Sequence, residues 1–144
     1  MIEVYKLRVM GLDVGTKTIG VALSDPLGWT AQGLEVIRRR GLDRDLQRLG
    51  EIMEEYQVER VVMGLPRNMN GTLGPQADVV RQFIGTFQQR FDAPVDTWDE
   101  RLTTVAAEKV LVGADVSRAK RKQVIDKMAA VMILQGYLDR MGRV

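Results

Sequence analysis

One stretch constrains this chain more than any other: VMGLDVGTKTIGVALSD, residues 9–25, in which an apolar run ends in one carboxylate, turns, and resumes as a second apolar run. Val9, Met10 and Leu12 have the short apolar character of a buried strand. Gly15 supplies a turn, and Ile19 to Leu23 read as a returning strand closed by Ser24 and Asp25. Asp13 stands at the end of the first strand, where an ionised carboxylate is costly to desolvate unless something pairs with it. Two readings follow from the residues alone. Asp13 meets a cation or a phosphate, or it is a turn aspartate that caps its own backbone.

The residue types that are missing narrow the chemistry. The chain has no cysteine and no histidine. Disulfides, thiolate metal sites, cysteine nucleophiles, Ser-His triads and imidazole zinc sites are therefore excluded. Acid–base or metal chemistry has to run on carboxylates, lysine, tyrosine or water, and hard oxygen ligands favour Mg2+ or Mn2+. The 144 residues suffice for one domain, expected to span 1–144. The formal charge is only +2, but the basic residues are unevenly placed: Arg38, Arg39 and Arg40 cluster, and Arg118, Lys120, Arg121 and Lys122 form a denser group. Such runs are either solvated surface or the electrostatic footprint of nucleic-acid binding. No apolar run reaches the roughly 18 residues of a membrane span, and the N-terminal stretch does not read as a signal peptide. A soluble cytoplasmic protein with no membrane partner is the expectation.

Taken in order, Leu7 to Leu12, Thr18 to Leu23 and Gly33 to Ile37 read as three strands. Leu42, Leu46, Leu49, Met53 and Tyr56 recur at helical spacing. Arg60 to Gly64 has a buried-strand pattern, followed by a Gly-, Pro- and Asn-bearing loop over 65–76 that should present backbone rather than side chains. Ala77, Val80, Ile84 and Phe87 mark a second helix, and Pro94 to Trp98 a last strand. Thr103 or Thr104 should cap a third helix reaching about Leu111, broken by Gly113 to Ser117. A final helix from about Arg118 to Arg140 carries Val124, Met128, Val131, Gln135 and Leu138 on one stripe. The order βββαβαβα with one extra helix makes this an α/β chain.

Asp13, Glu100 and Asp126 each lie near the junction of a strand or helix with a loop. In an open α/β sheet functional side chains gather outside the carboxyl ends of adjacent strands, so Asp13 and Glu100 can converge and Asp126 can complete the group. Three carboxylates so placed repel one another, and divalent cations remove that cost. Two such ions about 4 Å apart support phosphodiester cleavage without histidine.

The strings GLDVGTKTIGVALSD (11–25), VVMGLPRNMNGTLGPQA (61–77), DERLTT (99–104) and VIDKMAAVMILQGYL (124–138) resemble, in order and spacing, the YqgF/RuvX family. That family comprises bacterial pre-16S rRNA nucleases, also called Holliday junction resolvase-like proteins. The resemblance implies an RNase H-like fold, a five-stranded mixed sheet flanked by helices. It places Asp13, Glu100 and Asp126 on the family's acidic catalytic and metal-binding positions, with Mg2+ or Mn2+ as cofactor. The implied activity is metal-dependent endonucleolytic cleavage of structured nucleic acid, pre-rRNA ahead of branched DNA. Lys17, Arg67, Asn68, Arg118, Lys120, Arg121 and Lys122 would then contact substrate. Two positions depart from the family's pattern: Thr18 stands where a basic residue is common, and Arg67 where an apolar one is.

Other readings stay open at this level. DVGT also resembles the phosphate-binding turn of sugar-kinase and actin-like ATPases, although 144 residues leave no room for their second domain. A non-catalytic RNA-binding or ribosome-assembly module is the alternative from a different class, with Thr103 a helix cap and Arg101 paired to Asp99. Few aromatic residues are present, so recognition would rest on phosphates and shape. Assembly as a homodimer is left open by the sequence.

Overall fold

The computed structural model describes residues 8–68, 70–102 and 118–141, with residues 118–123 described by their backbone alone. The third helix expected between Thr103 and Leu111, its caps and the break at Gly113 to Ser117 lie outside the described residues. Five strands form one mixed sheet: β1 (Arg8–Val14), β2 (Thr18–Ser24), β3 (Ala31–Arg38), β4 (Val58–Leu65) and β5 (Val95–Asp99), in the order β3-β2-β1-β4-β5. β1, β4 and β5 run parallel, while β2 and β3 return antiparallel as hairpins. Three helices cover the sheet: α1 (Leu42–Glu55), α2 (Pro75–Arg90) and α3 (Arg118–Met141). The five-stranded mixed sheet and the element order agree with the sequence reading, each boundary within a few residues.

Strand alternation divides the core in two. Met10, Leu12 and Val14 of β1 face α1 and α2, against Leu46, Leu49, Ile52, Phe83 and Phe87. Val9 faces the opposite side, where Ala22, Val62 and Trp98 meet Ala129, Ala130, Ile133 and Leu134 of α3. Asp13 is in step with Val9, so the same period that buries Leu12 turns this carboxylate toward α3. Full burial of a side chain such as Leu12 contributes about 1.5–3 kcal/mol, which makes a one-residue register slip prohibitive.

The α3 stripe read from spacing is corrected. The structure buries Asp126, Ala129, Ala130, Ile133, Leu134, Tyr137 and Leu138, and leaves Val124 40% exposed. Residues 124–138 are apolar around most of the helix, so periodicity alone does not select the face; the small Ala129 and Ala130 do, by letting the helix approach the sheet closely. Gln135 instead clamps the β2–β3 hairpin, accepting from the Ala31 N–H at 2.9 Å and donating to the Trp29 carbonyl at 3.1 Å. The tip of that hairpin is closed by Asp25, which accepts N–H bonds from Trp29 and Thr30 at 2.7 and 2.8 Å. Tyr137 donates its hydroxyl to Asp96, and Arg60 donates to the same carboxylate at 2.8 Å, tying α3 to β4 and β5. Burial, then the bond to Asp96, pushes the Tyr137 phenol up to about 12. No helix among the described residues is long and apolar enough to cross a membrane.

Candidate active site

The carboxyl ends of the parallel strands open onto a cavity of about 250 Å3 whose lining includes Asp13, Glu100 and Asp126 together with Gly15, Thr16, Thr18, Pro66, Gln76 and Val79. The three acids come from three elements. Asp13 is the penultimate residue of β1, Glu100 opens the 3-10 turn Glu100–Leu102 directly after β5, and Asp126 lies in the third turn of α3. Asp13 and Glu100 are half-buried, and Asp126 is 7% exposed.

Two strand glycines admit this arrangement. Gly20 of β2 is the register partner of Asp13. A Cβ on Gly20 would stand 2.1 Å from the backbone oxygen of Asp126, so only a bare Cα lets α3 bring Asp126 down beside Asp13. A Cβ on Gly64 of β4 would stand 2.4 Å from Ile133 Cδ1 and 3.1 Å from Glu100 Oε2. Glu100 therefore folds back over β4 through space that a side chain at 64 would occupy.

Thr18 joins the group directly, its hydroxyl donating to Asp126 Oδ2. The sequence marked this position as a departure from the family's pattern and gave it no partner. The turn between β1 and β2 is held from behind by Arg39, whose Nη1 donates to the Gly15 carbonyl at 2.9 Å while its N–H donates to the Lys17 carbonyl at 2.9 Å. Arg39 Nε meets Asp45 at 3.1 Å, and its guanidinium lies 5.3 Å from the Phe83 ring centre. Asp45 is 2% exposed, so Arg39 is an internal anchor rather than part of a solvated Arg38–Arg40 run.

The residues expected to contact substrate are dispersed. Lys17 is exposed in the β1–β2 turn beside the cavity wall. Arg67 bonds the Gly71 carbonyl at 3.1 Å and lies 3.6 Å from Asp99, so its charge is partly matched. The Asn68 amide donates to the Thr72 hydroxyl at 2.9 Å and serves the loop's own shape. The loop's polar side chains close it internally. Arg101 pairs with Asp99 at 2.7 Å, as expected from sequence, and its guanidinium holds that carboxyl below the usual range. The backbone at Arg118, Lys120, Arg121 and Lys122 forms the opening of α3; their side chains lie outside the described residues. Gln76 and Val79 were missed by sequence reasoning, although Gly74 and Pro75 mark the helix start that carries them to the cavity.

Three carboxylates are hard oxygen donors, and a polar cavity shared by them fits a hard divalent cation. As placed, no group of three acidic side chains among the described residues is drawn together tightly enough to hold one ion. Thr18 engages one oxygen of Asp126.

A family model described as RuvX, Holliday junction resolvase, matches residues 7–140. A protein of Desulforamulus reducens named "Putative pre-16S rRNA nuclease" is 66% identical over 133 residues, 92% of this chain and 97% of that protein. One of the same name from Moorella thermoacetica is 65% identical over 137 residues, 95% of this chain and 98% of its own. Among solved structures, Thermus thermophilus RuvC in complex with a Holliday junction substrate superposes with a TM-score of 0.59 at 15% identity, covering 96% of this chain and 98% of that one. That likeness establishes the resolvase-type RNase H-like fold, and the length and level of the sequence matches establish the rest: this chain belongs to the RuvX family.

Proposed function

We propose that this chain is an endonuclease that hydrolyses phosphodiester bonds in structured nucleic acid, with precursor 16S rRNA as its substrate and the cytoplasm as its place of action. The observation that carries the reading is the cavity at the strand ends, to which three elements distant in sequence each bring one carboxylate. The names of the close relatives support the choice of RNA. The description of the family model supports a branched-DNA reading, which is kept as the alternative outcome of the test.

Asp13, Glu100 and Asp126 would hold Mg2+ or Mn2+, which supplies positive charge to the phosphate and lowers the pKa of an attacking water. The chain's own residues then place the reacting groups. In the hydrolysis a water oxygen forms a bond to phosphorus and the bond from phosphorus to the departing ribose oxygen breaks; the water's proton leaves to solvent or a carboxylate, since no imidazole exists to take it, and the departing oxygen takes a proton from solvent to become a hydroxyl. Asp13 and Glu100, fixed by strand ends, define the floor of the site. Lys17 and the basic residues at the opening of α3 would supply the contacts to backbone phosphates.

Cleavage of matched RNA and branched-DNA substrates, with Mn2+ and with excess EDTA, tests the assignment. RNA cut at least ten times faster than DNA, and only with the ion, is the expected result. Preference for the junction would move the DNA reading to first place, and full activity in EDTA would remove the metal-dependent mechanism. The basic opening of α3 is tested separately. Replacing Arg118, Lys120, Arg121 and Lys122 with Gln should weaken binding equally across sequences and reduce the salt slope by up to about four phosphate contacts. An unchanged slope would assign these residues to solvated surface.

A further inference from the structure

Thr18 and Gly20 are alternate residues of β2, so both face α3. Gly20 leaves the space into which the backbone at Asp126 descends, and Thr18 reaches the carboxylate itself. The two residues thus constrain Asp126 at different levels, one its main chain and the other its side chain. A helix fixes the Cα–Cβ direction of an aspartate, but rotation about the bond to its carboxyl carbon is broad and loosely restrained. A hydroxyl on a β-branched residue suits the task of restraining it, because χ1 of threonine has few wells and the strand fixes its backbone. Both side chains line the cavity.

We propose that Thr18 is a positioning residue for Asp126: its hydroxyl holds the carboxylate in the orientation that presents the acid group to the cavity shared with Asp13 and Glu100. The inference rests on the reading of Asp126 as part of the cleavage site. Thr18 acts through Asp126. Thr18 thereby directs a neutral donor at one of the three acids. The effect of such a donor is geometric, and the hydroxyl, not the methyl, carries it.

Four variants separate this role from a structural one. Thr18→Val keeps the shape and removes the hydroxyl, Thr18→Ala removes it without adding apolar bulk beside the carboxylate, Thr18→Ser restores it, and Asp126→Asn tests the underlying reading. Each is measured by thermal melting without metal, by calorimetric titration with Mn2+ alone, and by kcat and KM on an RNA substrate. Thr18→Val and Thr18→Ala should bind Mn2+ about tenfold more weakly and lose 10–100-fold in kcat, the range seen when a partner of a ligand is removed. KM should change less than about twofold, and Thr18→Ser should recover Mn2+ affinity and kcat to within about threefold. A merely structural threonine would lower the melting temperature and leave Mn2+ affinity and kcat of the folded protein at parental values. That result, beside an inactive Asp126→Asn, overturns the role of Thr18 and spares the site. A fully active Asp126→Asn overturns the site instead.

Discussion

Asp13→Asn, Glu100→Gln and Asp126→Asn should each lose cleavage by about 10³-fold or more, while melting at or above the parent's temperature in the absence of metal. The reasoning is electrostatic. Each amide nearly preserves the volume and shape of its acid and removes one negative charge from a group of three that shares a cavity. The asparagine at 126 retains an oxygen able to accept from Thr18, so the placement of α3 is not disturbed. What falls is affinity for the cation. In the parent, Mn2+ at 100 times its dissociation constant should stabilise the fold by about 2.7 kcal/mol, and that increment should shrink in all three variants. A structural aspartate predicts the reverse pattern. If Asp13 only caps its turn, the amide costs on the order of 1 kcal/mol and cleavage survives. Melts with and without Mn2+, run beside a cleavage assay, distinguish the two; a catalytically normal Glu100→Gln would bring the non-catalytic RNA-binding reading to the front.

The parts of this molecule that were legible in its sequence are those governed by local periodicity. Short apolar runs bounded by turn residues placed the five strands, and helical spacing placed α1 and α2. The convergence of the acids was legible only as an expectation of strand-end geometry, helped by a resemblance, because spacing in sequence carries no information about which of 19 acidic residues meet. Long-range pairs were not legible at all. Nothing local links Thr18 to Asp126, 108 residues apart, or distinguishes Arg39 from Arg38 and Arg40. The face of α3 was misread because its apolar residues surround the axis. One signal could have corrected that reading: glycines inside strands, at positions 20 and 64, mark close approach of another element.

That approach underlies the second large effect. Gly20→Ala should destabilise the protein by about 3 kcal/mol or more, at the upper end of overpacking costs, because the added Cβ would lie 2.1 Å from a backbone oxygen of α3. A flexible side chain could turn aside, but the Asp126 carbonyl belongs to a helix whose buried face is packed against the sheet. The intrinsic advantage of alanine over glycine in a strand, roughly 0.5–1 kcal/mol, is too small to offset this. For a chain near 150 residues, about 3 kcal/mol lowers the melting temperature by roughly 6–12 °C. The effect on cleavage should exceed what instability alone explains, since relieving the clash lifts Asp126 away from Asp13 and strains its bond to Thr18. Leu49→Ala supplies the control. Leu49 is fully buried in α1 on the opposite face of the sheet, and its truncation should cost a comparable 2–5 kcal/mol while leaving the folded protein active. With both variants assayed well below their melting temperatures, Gly20→Ala should cut at least about tenfold more slowly than Leu49→Ala, the scale of loss expected from a displaced acidic group. Equal activities would mean that the height of α3 above β2 does not set the position of the acid, and the close contact at Gly20 would then be a matter of packing alone.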